Sequence, residues 1–136
     1  MAWIFRCSEP VADLVRLSRS IELPVDQHQS LVSKGDLVFL WEGGTNGTLT
    51  AVGILQSAPY RFDRNSRRQR ARVGVSIVLA QPLTAEECRQ DQILNALAVL
   101  ERSDQTTLGL NRVTKDRLLS VLAAREPALA EKLNLP

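Results

Sequence analysis

The segment Tyr60-Arg-Phe-Asp-Arg-Asn-Ser-Arg-Arg-Gln-Arg-Ala-Arg72 sets six arginines and one acid beside two aromatic side chains, Tyr60 and Phe62. A guanidinium grips phosphate oxygens through a rigid fork of N–H donors, and a neighbouring aromatic face can stack an unpaired base. That pairing suits a polyanion that is single-stranded or locally opened. The segment has too few apolar residues to be buried, and neither a helical nor a strand period runs through it, so a solvated loop is expected. Read only as a charge run, it is a solvated excursion.

Catalytic chemistry has fewer candidates. His28 is the single histidine, and no Gly-rich phosphate loop, GxSxG turn, HExxH helix or carboxylate cluster accompanies it. Glu86 and Glu87 are accounted for by helix capping and the helix dipole. Cys7 and Cys88 offer neither a disulfide framework nor metal-ligand spacing and read as packed thiols. The residues point away from an enzyme, with no catalytic group, metal or cofactor expected.

These side chains must be held by one ordinary domain, since 136 residues with 44% hydrophobic and 24% charged content can bury a core without staples. The domain is expected to span 1–136. Net charge is only +2, so the clustering of the arginines matters more than the total. No apolar run approaches the ~20 residues of a membrane span, and the N-terminus lacks a basic region followed by an apolar stretch and a small-residue cleavage site. A cytoplasmic protein with no membrane contact is expected.

Periodicity outlines the elements. Trp3, Phe5 and Cys7 alternate with Ile4 and Arg6, which predicts a strand. Ser8 reads as an N-cap, with Val11, Leu14 and Val15 as the buried stripe of a helix ending near Ser20. Leu23-Pro24 is extended, residues 25–32 allow a short helical turn, and Lys34-Gly-Asp36 turns into an all-apolar strand, Leu37 to Trp41. Asn46-Gly47 can supply the positive φ values of a hairpin, and Thr48 to Gln56 returns, with Gly53 marking a bulge or a close backbone approach. Val73, Val75, Ile77 and Leu79 form another strand. Thr84-Ala-Glu-Glu87 is a capping box, Ile93, Leu97 and Leu100 recur at helical spacing, Thr114 reads as the cap of a last amphipathic helix, and Pro127 fits a short terminal one. The expected architecture is α+β: a small, mostly antiparallel β-barrel flanked by helices.

Trp3-Ile-Phe-Arg-Cys-Ser-Glu-Pro10, followed by Lys34-Gly-Asp36 and the strand ending at Trp41, resembles the opening of the EVE domain, a PUA-like family related to the YTH readers. Ala51-Val-Gly-Ile54 is similar to the family's third strand, and Gly109-Leu-Asn-Arg-Val-Thr114 to its glycine-containing loop before the terminal helix. The resemblance implies a PUA-like barrel that binds DNA or RNA, taking a modified or flipped base into a pocket near the end of the first strand. It places Ser8, Leu23, Val25 and His28 around the base and Arg6 and Arg112 near phosphates; from the residues themselves, Trp41 joins the base site because Glu42-Gly-Gly follows it, and Arg61 and Arg64 of the arginine segment join the phosphate contacts. Relatives often carry tryptophan where Leu23 stands, so one wall of the pocket is aliphatic here, and Trp3, Trp41 or Tyr60 would have to supply any aromatic face. Trp3 and Trp41 each also fit a core position, and Arg6 also fits a surface ion pair. The alternatives are a small-ligand module or a protein-interaction module serving a separate effector.

Overall fold

The computed structural model describes residues 1–61, 67–102 and 104–133. Strand β1 (Ala2–Cys7) shows how the sequence builds two cores from one sheet. Its alternation sends Ala2 and Ile4 into an apolar layer beneath the helices, and Trp3, Phe5 and Cys7 into the concave interior. The next two strands are β2 (Ser20–Val25) and β3 (Leu37–Glu42). In β3, Leu37, Phe39 and Trp41 join the helix-side core, while Val38 and Leu40 join the interior. Burial on both faces explains an apolar residue at every position from 37 to 41.

The remaining strands are β4 (Thr48–Leu55), β5 (Tyr60–Arg61), β6 (Gln69–Thr84) and β7 (Thr107–Leu110). The sheet runs β2-β6-β4-β3-β1-β7, with β5 on β6. Among the described residues only β1 and β3 pair in parallel; the other pairings are antiparallel. The sixteen-residue β6 pairs with β2 through Gln69–Gly74 and with β4 from Val73 onward. One strand thereby carries the curl. Leu23 of β2 and Phe5 of β1, four places apart in the sheet order, meet in the same interior cluster. Gly53 sits at a register shift, and a Cβ there would come within 2.4 Å of the Gly74 carbonyl oxygen, so both the bulge and the close approach occur.

Among the described residues, four α-helices accompany the sheet: α1 (Val11–Leu14), α2 (Ala85–Gln90), α3 (Arg112–Arg125) and α4 (Leu129–Lys132). Leu118 and Leu122 of α3 and Leu129 of α4 cover the convex face. The capping box at Thr84 and Glu87 forms as the sequence predicts. The result is an α+β, mostly antiparallel curled half-barrel flanked by helices. No described helix is long and apolar enough to cross a membrane.

Several local expectations change. Pro10, not Ser8, occupies the N-cap of α1, without a side-chain cap, and the helix is a single turn because the chain must reach β2 at Ser20. Residues 20–25 are strand, and 25–32 contain a turn in which His28 takes φ 58° and its carbonyl accepts from the Leu31 and Val32 N–H groups. The positive φ of the β3–β4 connection falls on Gly43 (88°), not on Asn46-Gly47. Asn111 caps α3, and Thr114 bonds back to it from the first turn. Residues 94–100 form two 3₁₀ turns that bury Leu94, Leu97, Val99 and Leu100, where a helical stripe was expected. The arginine-rich segment is partly sheet, since Tyr60 and Arg61 pair with Arg70 and Gln69. Phe62 and Arg64 lie outside the described residues. Gly109 belongs to β7, opposite Trp3, rather than to a loop.

Candidate functional site

Where β1 ends, the chain opens a cleft of about 360 Å³ lined by Arg6, Cys7, Ser8, Pro24, Gly43, Gly44 and Thr106. A second cleft of about 260 Å³ shares Ser8 and Pro24 with it and continues past Leu14, Glu22, Leu23 and Arg70. Ser8 therefore stands where the two meet. Released from the capping role, it is exposed, and its hydroxyl has no hydrogen-bond partner among the described residues. One donor and two acceptor lone pairs are open to a ligand there.

The walls are fixed by long-range bonds. The Glu42 carboxylate accepts from the Val11 N–H at 2.5 Å, tying the end of β3 to α1. Gln27 Oε1 accepts from the Thr106 and Thr107 N–H groups at 3.1 and 3.2 Å, and Thr106 Oγ1 donates to Asp26 at 3.2 Å. These contacts hold the chain leaving β2 against the start of β7. Gly44 is the opposite kind of position, for a Cβ there would meet nothing within 4 Å. Trp41 Nε1 and the Gly47 N–H both donate to the Gly44 carbonyl, which fixes the glycine pair at the rim.

Arg6 shares the strand face of Ile4, toward the helices, which directs its guanidinium into the loop before β7. It donates to the Gln105 carbonyl at 2.7 Å and the Val99 carbonyl at 3.1 Å, while its Nε–H has no partner. Burial lowers its pKa from the usual arginine value, opposed by the charge of Asp104. Beside it, burial and then the Glu42 carboxylate push the Cys7 thiol up to about 12, so it is neutral near pH 7 and not a nucleophile. Among the described residues, no group of three or more His, Cys, Asp and Glu side chains is placed to hold a metal ion.

The structure brings some of the sequence candidates together and separates others. Arg6 and Ser8 line the first cleft and Leu23 the second. Val25 is fully buried in the interior, and Trp41 is fully buried on the helix side, which removes its ring from any ligand's reach. His28 lies over Trp3, with ring centroids 5.7 Å apart and a 35° tilt, and lines neither cleft. Trp3 itself is buried and donates from Nε1 to Asp36. Arg70 pairs with Pro24 on one side and Tyr60 on the other, so the arginine hairpin starts at the second cleft, and Arg61 is one register step farther along. Arg112 follows β7, whose Leu110 pairs with Ala2 at the far end of β1. The length of that strand, roughly 17 Å at ~3.4 Å per residue, separates it from Ser8.

Pro24, Gly43, Gly44 and Thr106 were not singled out from the sequence. The Gly-Gly pair directly after an apolar strand was the available signal for two of them. Thr106 reaches the site through Gln27, 79 residues earlier in the chain, and no local pattern reports such a contact. No aromatic ring among the described residues lines either cleft.

No family model matches the sequence, and no curated protein matches it. Solved structures do. A hypothetical protein from Leishmania major superposes with a TM-score of 0.75 at 11% identity, covering 92% of this chain and 96% of that one. A protein from Pseudomonas syringae gives 0.72 at 14% identity over 89% and 99%. The human THYN1 protein, solved in complex with 5-methylcytosine-containing DNA, gives 0.72 at 10% identity over 88% and 96%. The DUF55 domain of human thymocyte nuclear protein 1 matches equally well in TM-score, 0.72 at 10% identity over 89% and 98%. With a curled, mostly antiparallel sheet, helices packed on one face and a cleft at the end of its first strand, this chain shares the fold of these solved proteins.

Proposed function

We propose that the chain is a non-enzymatic nucleic-acid-binding module that takes one modified or flipped base of DNA or RNA into the cleft at the end of β1. The observation that carries this reading is the unpartnered Ser8 hydroxyl at the junction of two clefts, the first of them about 360 Å³. That volume is near the low end of the ~300–1,000 Å³ of ligand pockets, which suits a single flat ring better than a larger ligand. The fold shared with a protein solved on methylcytosine DNA adds support. Ser8 reads the base edge by hydrogen bonding, Pro24 and the Gly43-Gly44 backbone form its flat walls, and discrimination comes from shape and polar contacts rather than an aromatic cage. Arg70, which lines the second cleft, and Arg61, one register step farther along, take the flanking phosphates, while Arg6 braces the loop before β7. A separate effector, acting once a base is bound, is the partner such a module would serve.

Fluorescence titration with short labelled single-stranded and duplex DNA and RNA, with and without methylated or hydroxymethylated bases, tests this at two salt concentrations. Salt-sensitive binding that favours one modified oligonucleotide is the expected result. Saturation by a free nucleoside with little salt dependence would replace the reading with a small-ligand site.

A further inference from the structure

A wider cleft lies elsewhere on the molecule. At the opposite end of β3 a cleft of about 900 Å³ is lined by Ser18, Arg19, Ser20, Lys34, Gln56 and Ser76 over a floor of Ile54, Leu55 and Val75. No acid lines it. The nearest carboxylate in sequence, Asp36, is already engaged by the terminal ammonium, Trp3 Nε1 and the Ser33 N–H. Arg19 and Lys34 are exposed and have no acidic partner among the described residues. Gln56 is fixed by the Ser20 hydroxyl at 2.6 Å and lies across Gly74, where a Cβ would fall 2.5 Å from its Nε2. Its amide N–H groups are thus held at the surface of the cleft, and neither they nor the Ser76 hydroxyl, which also lines it, has an acceptor among the described residues. Two unpaired cations above fixed neutral donors, with no opposing carboxylate, match the phosphate–sugar backbone of a nucleic acid.

We infer that this cleft is a second nucleic-acid contact, gripping backbone phosphates distant from the extruded base. The inference rests on the nucleic-acid reading above and adds to it a minimum length of ligand. The two clefts are separated by the length of β3, roughly 20 Å at ~3.3 Å per residue. That is about six nucleotides of one duplex strand at ~3.4 Å each. At that stacked spacing a 6-nucleotide strand centred on the first cleft extends only about 10 Å to either side, short of Arg19 and Lys34, whereas a long duplex spans both clefts. Arg112 lies toward this same end of the sheet, opposite the start of β1.

The test compares wild type with Arg19→Ala/Lys34→Ala on a 24-base-pair duplex and a 6-nucleotide single strand, each carrying one 5-methylcytosine, from 50 to 200 mM salt. Both substitutions are at exposed positions, and thermal melting checks that the fold is unchanged. For the duplex, the slope of log affinity against log salt should become shallower by about 1.8, equal to ~0.9 per lost phosphate contact. Across that fourfold range, wild type should then lose about twelve times more affinity than the variant. The 6-mer should bind both proteins alike. If the duplex slope is the same for both proteins while wild type still binds, the second contact is refuted and the base site stands. Equal loss on the 6-mer would also refute it, because the two cations would then belong to the base site. Failure of wild type to bind either probe at 50 mM salt would overturn the nucleic-acid reading, and this inference with it.

Discussion

Arg6 is the residue on which a structural role and a ligand role compete most directly, and replacing it with leucine separates the two. The guanidinium makes two charge-assisted hydrogen bonds, to the Gln105 and Val99 carbonyls. Each such bond is worth roughly 1.5–3 kcal/mol. The side chain is only half-buried, so water can compensate part of the loss, and about 3 kcal/mol in total is a reasonable expectation. For a chain of this size, that corresponds to a fall in Tm of roughly 10 °C. Leucine keeps the aliphatic packing beside Ile4, which isolates the polar loss. Lysine keeps the charge but not the two-pronged geometry and should recover about half of it. The assay is thermal unfolding followed by circular dichroism, run beside binding of a labelled oligonucleotide at a temperature where both variants are folded. The expected pattern is a large Tm loss for Arg6→Leu, partial recovery in Arg6→Lys, and binding that falls less than tenfold. Unchanged melting together with a loss of affinity common to all sequences would show that the guanidinium serves phosphate rather than the loop, and the reasoning would be refuted.

Trp41→Ala should cost about 3–5 kcal/mol, as for other buried aromatic truncations, with no change in the ratio of affinities for modified and unmodified bases. Selective loss of discrimination in a stably folded variant would place that ring in the site after all. Gly53→Ala must push apart the β4 and β6 backbones, so a shift in urea midpoint equivalent to about 1–3 kcal/mol is expected, and an unchanged midpoint would contradict the close approach. The Arg117 guanidinium, then the Leu94 and Ile93 N–H groups, hold the Asp91 carboxyl down at about 2, against an ordinary 3.8. Its folded pKa is depressed, so its stabilisation is complete above pH ~4 and is lost as pH falls through ~2. Asp91→Asn should therefore melt below wild type at pH 7 and converge with it near pH 2; a gap that persists at pH 2 would assign the effect to something other than ionisation.

The legible parts of the chain were those where local chemistry decides. Alternation in 2–7 and 73–79, the unbroken apolar run at 37–41, the capping box at Thr84 and Glu87, and the Gly53 irregularity all follow from neighbours within a few residues. The curl of β6 is different, because its first residues read as a charged loop until β2 and β5 pair on either side of them. Ser8 has the side chain of an N-cap, yet Pro10 takes that position and leaves the hydroxyl to the cleft. Trp41 was assigned a role from its place beside Gly43-Gly44, but strand parity turned it to the helix side. His28 and Arg112 follow the same lesson: closeness in a motif does not set which end of a strand a side chain reaches. The family resemblance pointed to Ser8 and the end of β1, but the arrival of Thr106 beside Ser8, Pro24 and Gly44 depends on contacts spanning most of the chain, which no local pattern reports.

The most direct test of the account fills the cleft without disturbing the fold. At Gly44 a Cβ would meet no atom within 4 Å, and its φ lies outside the left-handed region. Gly44→Leu should therefore melt within about 0.5 kcal/mol of wild type while its side chain occupies the space of the base. Titrated with the best-bound modified oligonucleotide, this variant should lose at least tenfold in affinity and all preference over the unmodified sequence, with its salt slope unchanged. Full retention of affinity and preference by a folded Gly44→Leu protein would contradict the claim that a base enters the cleft at the end of β1.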